Sequence, residues 1–376
     1  MKILIAPDSF KESLSAKEVA MAIERGIKRV DKNIETIKVP MADGGEGTVE
    51  SLVEATEGKI VSVKVKDPLM RDIDSFYGVL GDGKTVVIEM AAASGLDLLS
   101  KEERNPMKTT SFGTGQLIKD ALEKGYKNII IGIGGSATND GGAGMVAALG
   151  GKLLDSNGES IGFGAEDLDK VESIDLSELH KGIRECEFTI ACDVDNPLIG
   201  EKGASYIFGP QKGADKTMVK VLDRKLGNFG KTIEDTFGIS ILQYPGAGAA
   251  GGMGAALISF LDGKLERGIS IVTKETNLEE KIKDSDLVIT GEGMIDSQTQ
   301  YGKTPYGVAK IAKKYDKPVI AIAGGIGKDA NILYEKGIDS IFSIVNKPMT
   351  LEEAMENAGF LLEDVAERII RVLNIV

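Results

Sequence analysis

Ile129-Ile-Ile-Gly-Ile-Gly-Gly-Ser-Ala-Thr-Asn-Asp-Gly-Gly-Ala-Gly144 joins a β-branched apolar run to a long loop rich in glycine and polar residues. Glycine removes the side chains that would block a ligand, so such a loop lets backbone N–H groups and a helix N-terminus converge on an anion. An ordinary strand-to-helix turn is the alternative, but it does not need five glycines and four polar residues. The pattern predicts a phosphate or nucleotide site, with contacts from Gly134, Gly135, Ser136, Ala137, Thr138, Asn139, Asp140 and Gly141.

Segments on either side of this loop alternate between strand-like and helix-like patterns at both ends of the chain. Lys2–Ala6 is apolar and β-branched, and Ser15 with Glu18 forms a capping-box pattern at the start of a helix. The same alternation resumes from Leu287 and closes with a helix from Leu351 to Leu373. Such alternation predicts an α/β fold with a parallel sheet covered by helices.

The region between the two ends has a different character, with short strands, many glycines and irregular turns. At 376 residues the chain exceeds one ordinary core, so two domains are expected. We predict a Rossmann-like, mostly parallel three-layer domain built from residues 1–66 and 284–376. A second α/β domain, residues 67–283, is inserted in it and carries the glycine-rich loops.

Composition excludes several classes of protein. A net charge of −13 argues against nucleic acid as a partner, because binding to a phosphate backbone needs a basic face. No apolar run approaches the ~20 residues that span a bilayer, and Met1–Pro7 is too short for a signal sequence. The two cysteines predict no zinc site and fit a reducing interior. We therefore expect a cytoplasmic protein without a membrane partner, and the sequence leaves a homo-oligomer open.

Two motif matches have competing interpretations. Gly78-Val-Leu-Gly-Asp-Gly-Lys-Thr85 fits the P-loop pattern, but a strand-like run follows it instead of the required helix, so we predict a hairpin. Gly246-Ala-Gly-Ala-Ala-Gly251 fits the dinucleotide fingerprint, yet the acidic residue expected ~20 positions later is missing. The second segment either binds phosphate or permits close packing of a helix, and the sequence does not separate the two.

Carboxylates follow two predicted strands. In Cys192-Asp-Val-Asp-Asn-Pro197, an extended backbone points Asp193 and Asp195 to the same side. Paired carboxylates suit Mg²⁺ or a base beside a metal ligand, whereas a simple turn is the alternative for Asn-Pro. In Thr290-Gly-Glu-Gly-Met-Ile-Asp296, Glu292 and Asp296 can coordinate a metal or hydroxyls, and the following Lys303 can meet a phosphate.

Taken together, these segments resemble the class I glycerate kinases, the bacterial glycerate 2-kinase family. The matching segments cover nearly the whole chain in the family's order: Ala6–Lys11, Pro40–Gly47, Gly134–Gly144, Cys192–Pro197, Ile207–Gly213, Gly246–Gly254 and Thr290–Asp296. The resemblance implies phosphorylation of D-glycerate by ATP and Mg²⁺, giving 2-phosphoglycerate and ADP. It also implies two α/β domains, one inserted in the other.

On this basis we assign roles to individual residues as a hypothesis. The loop from Gly134 binds the nucleotide phosphates, helped by Gly246 and Gly251, and Asp193 and Asp195 hold Mg²⁺ or take the proton of the glycerate hydroxyl. Which of the two does which stays open. We assign Lys11 and Arg71 to the substrate carboxylate, and Lys11 also to catalysis. Ser9, Asp43 and Gly44 are assigned to substrate binding, and Asp296 is assigned to the metal.

Three other functions compete with this hypothesis. A kinase of another small hydroxy or sugar acid, or one that phosphorylates the 3-position of glycerate, would use the same loops. An NAD-dependent oxidoreductase would use Gly246–Gly251, and the missing acidic residue argues against it. A non-catalytic nucleotide-binding regulator would not need the carboxylates that follow the strands.

Overall fold

The computed structural model describes residues 1–42, 45 and 47–374. The strands are β1 (Lys2–Pro7), β2 (Glu35–Lys38), β3 (Lys59–Lys66), β4 (Asp72–Val79), β5 (Thr85–Glu89), β6 (Asn128–Gly132), β7 (Lys152–Leu154), β8 (Ser173–Asp175), β9 (Glu187–Ala191), β10 (Lys264–Glu266), β11 (Leu287–Ile295), β12 (Val319–Ile326) and β13 (Ser340–Ser343). The α-helices are α1 (Ala16–Val30), α2 (Thr48–Thr56), α3 (Ala91–Ser94), α4 (Phe112–Glu123), α5 (Ala143–Ala148), α6 (Ala204–Phe208), α7 (Lys216–Phe237), α8 (Ala249–Leu261), α9 (Gly268–Glu275), α10 (Leu278–Lys283), α11 (Thr304–Lys313), α12 (Leu351–Glu356) and α13 (Ala358–Leu373).

The chain divides into two compact units. Unit 1 comprises Met1–Asp43, Glu50–Glu57 and Arg267–Val376, and unit 2 comprises Gly44–Val49 and Gly58–Glu266. Both units are mixed α/β structures with parallel strand pairs, as predicted.

Unit 1 contains a parallel sheet in the order β13-β12-β11-β1-β2. The apolar side chains of β1 are buried, and Ile3 and Ile5 share a core with Leu287 and Ile289 of β11 and with α1 and α13. α1 begins where predicted because Ser15 and Glu18 form a reciprocal capping box, which satisfies two of the otherwise unpaired backbone donors. The predicted C-terminal helix is divided into α12 and α13, with Asn357 between them.

Unit 2 contains a six-stranded mixed sheet in the order β10-β9-β6-β5-β4-β3. β5, β6, β9 and β10 are parallel neighbours, whereas β3, β4 and β5 pair antiparallel. β4 and β5 form the hairpin predicted over the P-loop-like match, and no helix follows Lys84 there, since β5 begins at the next residue.

The division between the units differs from the predicted one at two places. β3 was expected in the first domain, but it pairs with β4 along its whole length, from Lys59 opposite Val79 to Lys66 opposite Asp72, and so belongs to unit 2. The segment 267–283 was expected in the inserted domain, but it forms α9 and α10 in unit 1. There Glu279 of α10 accepts a hydrogen bond from Tyr315 Oη at 2.7 Å, just beyond α11.

Candidate active site

The glycine-rich loop follows β6 in unit 2, and only its beginning lies at the surface. Gly134 and Gly135 are exposed, whereas the residues from Ser136 to Gly144 are buried. The helix that follows, α5, has only six residues. A ligand on this loop therefore has access to Gly134, Gly135 and the adjoining Ser136.

The carboxylate of Asp140 occupies the position at which we predicted a phosphate. It accepts hydrogen bonds from Gly142 N at 3.1 Å and Gly144 N at 3.2 Å, at the start of α5. It also accepts from the backbone N and the Oγ of Ser111, both at 2.8 Å. A fully buried carboxylate needs such donors, so the prediction that these N–H groups face a nucleotide is corrected: Asp140 is an internal cap.

The other buried residues of the loop also contribute to its internal structure. Asn139 Nδ2 donates to Ser205 Oγ at 3.0 Å, and Gly141 N donates to the carbonyl of Gly251 at 3.0 Å. Ala137 and Thr138 are 1% and 0% exposed. These residues shape the loop and do not present side chains at its surface.

The segment Gly246–Gly254 packs against this loop. Gly251 has φ of +67°, and a Cβ built there would lie 2.0 Å from the Thr138 carbonyl oxygen. A Cβ at Gly246, whose φ is +84°, would lie 2.5 Å from Leu265 Cδ1. Of the two interpretations that the sequence leaves open, the contacts support close packing, because Gly251 lets backbone approach backbone and Gly246 leaves room for the Leu265 side chain.

A lysine that the residue assignments omitted lies beneath the same loop. Lys212 is 1% exposed, and its Nζ donates to Ser136 Oγ at 2.7 Å and to the Thr138 carbonyl at 2.6 Å. The sequence showed only a cation in a Gly-Pro-Gln-Lys-Gly turn, and nothing in that turn indicates burial against Ser136.

The remaining predicted residues of unit 2 lie at its surface. Asp193 and Asp195 are exposed and alternate with the partly buried Val194 beyond the end of β9, which agrees with side chains on one side of an extended segment. Arg71 forms ion pairs with Asp67 at 2.5 Å and Glu103 at 2.7 Å. Its charge is thus paired with Asp67 of the same turn and with Glu103, 32 residues further along the chain.

Unit 1 has its own cavity, of about 520 Å³, at the carboxyl ends of β1 and β11. Its polar and charged lining residues are Asp8, Ser9, Lys11, Glu12, Ser13, Glu292, Lys303 and Thr350. In open parallel sheets ligands bind outside the carboxyl ends of the strands, at the point where the strand order reverses. β1 is such a point here, because the chain proceeds from β1 to β2 on one side and returns to β11 on the other.

Acidic and basic groups interact closely in this cavity. Glu292 is 8% exposed, accepts a hydrogen bond from Thr299 Oγ1 at 2.7 Å and lies 3.2 Å from Lys303 Nζ. Burial raises the pKa of Glu292, and Asp8 adds to this, whereas Thr299 and Lys303 oppose it. Asp8 accepts hydrogen bonds from Thr304 Oγ1 at 2.6 Å and from the backbone N of Ser9 at 2.7 Å.

Asp8 and Glu292 were absent from the predicted catalytic residues, although both loops had been singled out. The signal that identifies them is their place where β1 ends beside β11. Asp8 follows β1, and Glu292 lies within β11, one residue beyond Gly291, which is opposite Pro7. That pairing was not visible in the sequence, because almost 300 residues separate the two strands.

Three other predicted residues have different outcomes. Asp296 caps the 3-10 helix Ser297–Tyr301, with its Oδ1 accepting from Gln298 N at 2.8 Å. Asp43 and Gly44 lie outside the described residues.

Among the residues that the structure does describe, no group of three or more His, Cys, Asp or Glu side chains could hold a metal ion. Within the same residues, no helix is long and apolar enough to cross a membrane.

Comparisons with known proteins agree across nearly the whole chain. The model of the glycerate kinase family matches residues 3–374. The glycerate kinase of Bacillus subtilis (strain 168) is 55% identical over 369 residues, which cover 98% of this chain and 97% of that protein. The glycerate 2-kinase of Escherichia coli (strain K12) is 55% identical over 358 residues, covering 95% and 94%.

A solved structure extends the similarity to three dimensions. The crystal structure of a Salmonella typhimurium LT2 protein assigned to glycerate kinase 2 matches with a TM-score of 0.91 and 52% sequence identity. The match covers 100% of this chain and 98% of that chain.

Proposed function

The chain belongs to the glycerate kinase family, and from this premise we propose that it transfers the γ-phosphoryl group of ATP to the 2-hydroxyl of D-glycerate. The products are 2-phosphoglycerate and ADP. Membership of the family makes the chain a phosphotransferase with an alcohol acceptor. The observation that carries the residue assignments is the pair of buried carboxylates in the unit 1 cavity, Asp8 and Glu292, with Lys303 Nζ 3.2 Å from Glu292.

Glycerate is proposed to bind in the unit 1 cavity. Its carboxylate would meet Lys11, which is exposed there, and Lys303, and its hydroxyls would meet Ser9. An acidic protein that binds a small anion needs fixed cations close to the site. Arg71 is left out of this proposal, because it is not among the residues that line this cavity.

Glu292 is the better candidate for the base that takes the proton of the 2-hydroxyl. A general base works best when its pKa lies close to the working pH, and burial raises the pKa of Glu292 above the ordinary value. In this step the hydroxyl proton moves to a Glu292 oxygen, the hydroxyl oxygen bonds to the γ-phosphorus, and the bond from that phosphorus to the leaving ADP breaks.

Of the two roles considered for Asp193 and Asp195, we propose that they hold Mg²⁺. Mg²⁺ is usually held by one or two carboxylates together with substrate phosphates rather than by a complete protein cage. Two exposed carboxylates on one extended segment fit that description. When bound, Mg²⁺ neutralises charge on the phosphates. Asp296 is left out, because its carboxylate caps a helix.

The ATP phosphates are proposed to bind at the exposed start of the glycine-rich loop, at Gly134, Gly135 and Ser136. This narrows the predicted contact set, since Asp140 occupies the donors deeper in the loop.

Cys186 and Cys192 form no disulfide with each other, which fits the reducing cytoplasm as the place of the reaction.

A coupled ADP-release assay over a panel of hydroxy and sugar acids tests the proposal. We expect kcat/KM to be highest for D-glycerate with MgATP. A higher value for another acid would favour the alternative kinase, and nucleotide binding without turnover of any acid would favour a regulator. If one of these acids instead reduces NAD⁺ to NADH in the presence of the enzyme, the oxidoreductase is favoured.

A further inference from the structure

Lys212 has an unusual environment for a buried lysine. In the described part of the chain, both acceptors of its Nζ are neutral, the Ser136 hydroxyl and the Thr138 carbonyl. Lys225, the other buried lysine of unit 2, instead forms an ion pair with Asp169. Because burial of a charge is costly unless it is paired, an ammonium held by neutral groups is suited to a negative charge that is supplied from outside.

Charged groups near Lys212 do not replace that negative charge. Burial lowers the pKa of Lys212 to about 7, and Asp140 opposes this. The Asp140 carboxylate already accepts from Ser111 and from the start of α5. On the adjoining segments, the Arg104 backbone packs against Gly213, and the Asp215 carboxylate caps α7.

The loop above Lys212 also has polar side-chain atoms without partners. Thr138 Oγ1 and Asn139 Oδ1 are buried and make no hydrogen bond in the structure, although both residues are 0% exposed. Buried polar atoms are nearly always paired, so these two mark the loop as a place where a bound group or water is expected. Gly134 and Gly135 give the access from solvent.

We propose that Lys212 is a positioning residue of the ATP phosphate subsite, acting through the Ser136 hydroxyl. Because Lys212 Nζ donates to Ser136 Oγ, the hydroxyl proton of Ser136 is free to point away from the lysine, toward a phosphate oxygen. The ammonium polarises that hydroxyl and strengthens it as a donor to an anion. This inference rests on the proposed function, specifically on phosphate binding at the start of the loop.

The arrangement couples nucleotide binding to the protonation of Lys212. A bound phosphate favours the charged ammonium, so ATP binds better to the protonated enzyme. The affinity for ATP is therefore expected to fall as the pH rises through the pKa of Lys212, near neutrality. The affinity for glycerate has no such dependence on this lysine.

The test is the pH dependence of KM for ATP and for glycerate, measured from roughly pH 6 to pH 9 at saturating Mg²⁺. For the wild type we expect KM for ATP to rise with pH. Lys212→Met should raise KM for ATP on the order of 10- to 100-fold at low pH and remove the pH dependence. Lys212→Arg should restore part of the affinity at every pH, because guanidinium stays charged. KM for glycerate should change less than about twofold in each variant.

Two further variants separate positioning from a structural role. Ser136→Ala should reproduce the effect of Lys212→Met on KM for ATP, and the double variant should be no worse than either single one, because the residues act in series. Lys225→Met removes a buried lysine of the same unit and should lower stability while leaving KM for ATP and its pH dependence unchanged.

A folded Lys212→Met enzyme with wild-type KM for ATP would overturn the inference. If Lys212→Met does not fold, a Ser136→Ala enzyme with wild-type KM and pH dependence overturns it equally. Failure of the wild type to phosphorylate glycerate contradicts the proposed function instead. In that case, calorimetric titration of the same variants with ATP still decides the role of Lys212.

Discussion

At the scale of single residues, the proposed chemistry depends on two side chains that the fold has buried, Glu292 and Lys212. Glu292 is buried beside Asp8 and within 3.2 Å of Lys303 Nζ, so its pKa reflects burial first and its neighbours second. Asp193 and Asp195 are exposed, so neither has the burial that suits Glu292 to the role of a base, and we propose them for Mg²⁺ instead. Burial therefore distinguishes residues that the sequence treats as equivalent acids.

Glu292→Gln is expected to lower kcat on the order of 10²- to 10⁴-fold, because an amide cannot take the hydroxyl proton. In the wild type, kcat/KM should rise with pH through the raised pKa of Glu292, since only the deprotonated carboxylate acts as the base. The variant should lack that rise. Initial rates against pH measure both, and Glu335→Gln at the surface of the same unit serves as the control. Near-normal kcat in Glu292→Gln would eliminate it as the base.

Lys212 should also leave a signature in stability. Its pKa is about 7 in the folded protein and 10.5 as an ordinary value, so in this window the unfolded chain holds a proton that the native state lacks. Stability rises with pH wherever the unfolded state binds more protons. The free energy of unfolding of the wild type, relative to that of Lys212→Met, should therefore increase from pH 7 to pH 10.5. Urea unfolding at several pH values measures this difference, and a pH-independent value would show that Lys212 titrates normally.

At the scale of elements, the contact between the two glycine-rich segments determines the shape of the loop. Gly251→Ala places a Cβ 2.0 Å from the Thr138 carbonyl, whereas Gly83→Ala, at the same φ of +67°, meets nothing within 4 Å. Comparing the two variants thus separates the cost of the steric contact from the cost of backbone strain. We expect Gly83→Ala to cost about 1 kcal/mol of unfolding free energy and Gly251→Ala to cost roughly 3 kcal/mol or more. Chemical denaturation measures both, and equal costs would show that the two segments do not pack tightly.

Patterns of neighbouring residues predict single helix starts and hairpins correctly, but they do not predict which distant segments pair. The Ser15–Glu18 capping box and the hairpin at Gly81–Gly83 are determined by neighbouring residues, and both predictions are confirmed. We predict β3 in the first domain, but it lies in unit 2. Its pairing with β4 depends on how the strands pack in the folded protein, which sequence patterns do not describe. For the same reason the sequence predicts Asp140 as a ligand contact, whereas in the structure it accepts hydrogen bonds from Ser111, 29 residues away.

At the scale of the whole molecule, the proposal assigns different ligands to the two units. The proposal places the glycerate residues and the base in unit 1, and the residues for the phosphates and Mg²⁺ in unit 2. This division was not derivable from the motifs alone, because acidic and glycine-rich segments occur in both units.

Variants in the two units should accordingly affect different kinetic constants. Lys11→Ala should raise KM for glycerate on the order of tenfold and leave the Mg²⁺ requirement unchanged, because a charged hydrogen bond to the carboxylate is lost. Asp193→Asn and Asp195→Asn should each raise the Mg²⁺ concentration that gives half-maximal rate, with KM for glycerate unaffected. Steady-state rates over a grid of glycerate and Mg²⁺ concentrations separate these effects. If all three variants changed both KM for glycerate and the Mg²⁺ concentration for half-maximal rate, the assignment of glycerate to unit 1 and Mg²⁺ to unit 2 would be contradicted.

The central claim is that this chain phosphorylates the 2-hydroxyl of glycerate. Phosphorus and proton NMR of the product formed by the wild-type enzyme from ATP and D-glycerate tests it directly. We predict a phosphorus signal coupled to the single proton on C2. A signal coupled to the two protons on C3, or no phosphorylated acid at all, would contradict the account.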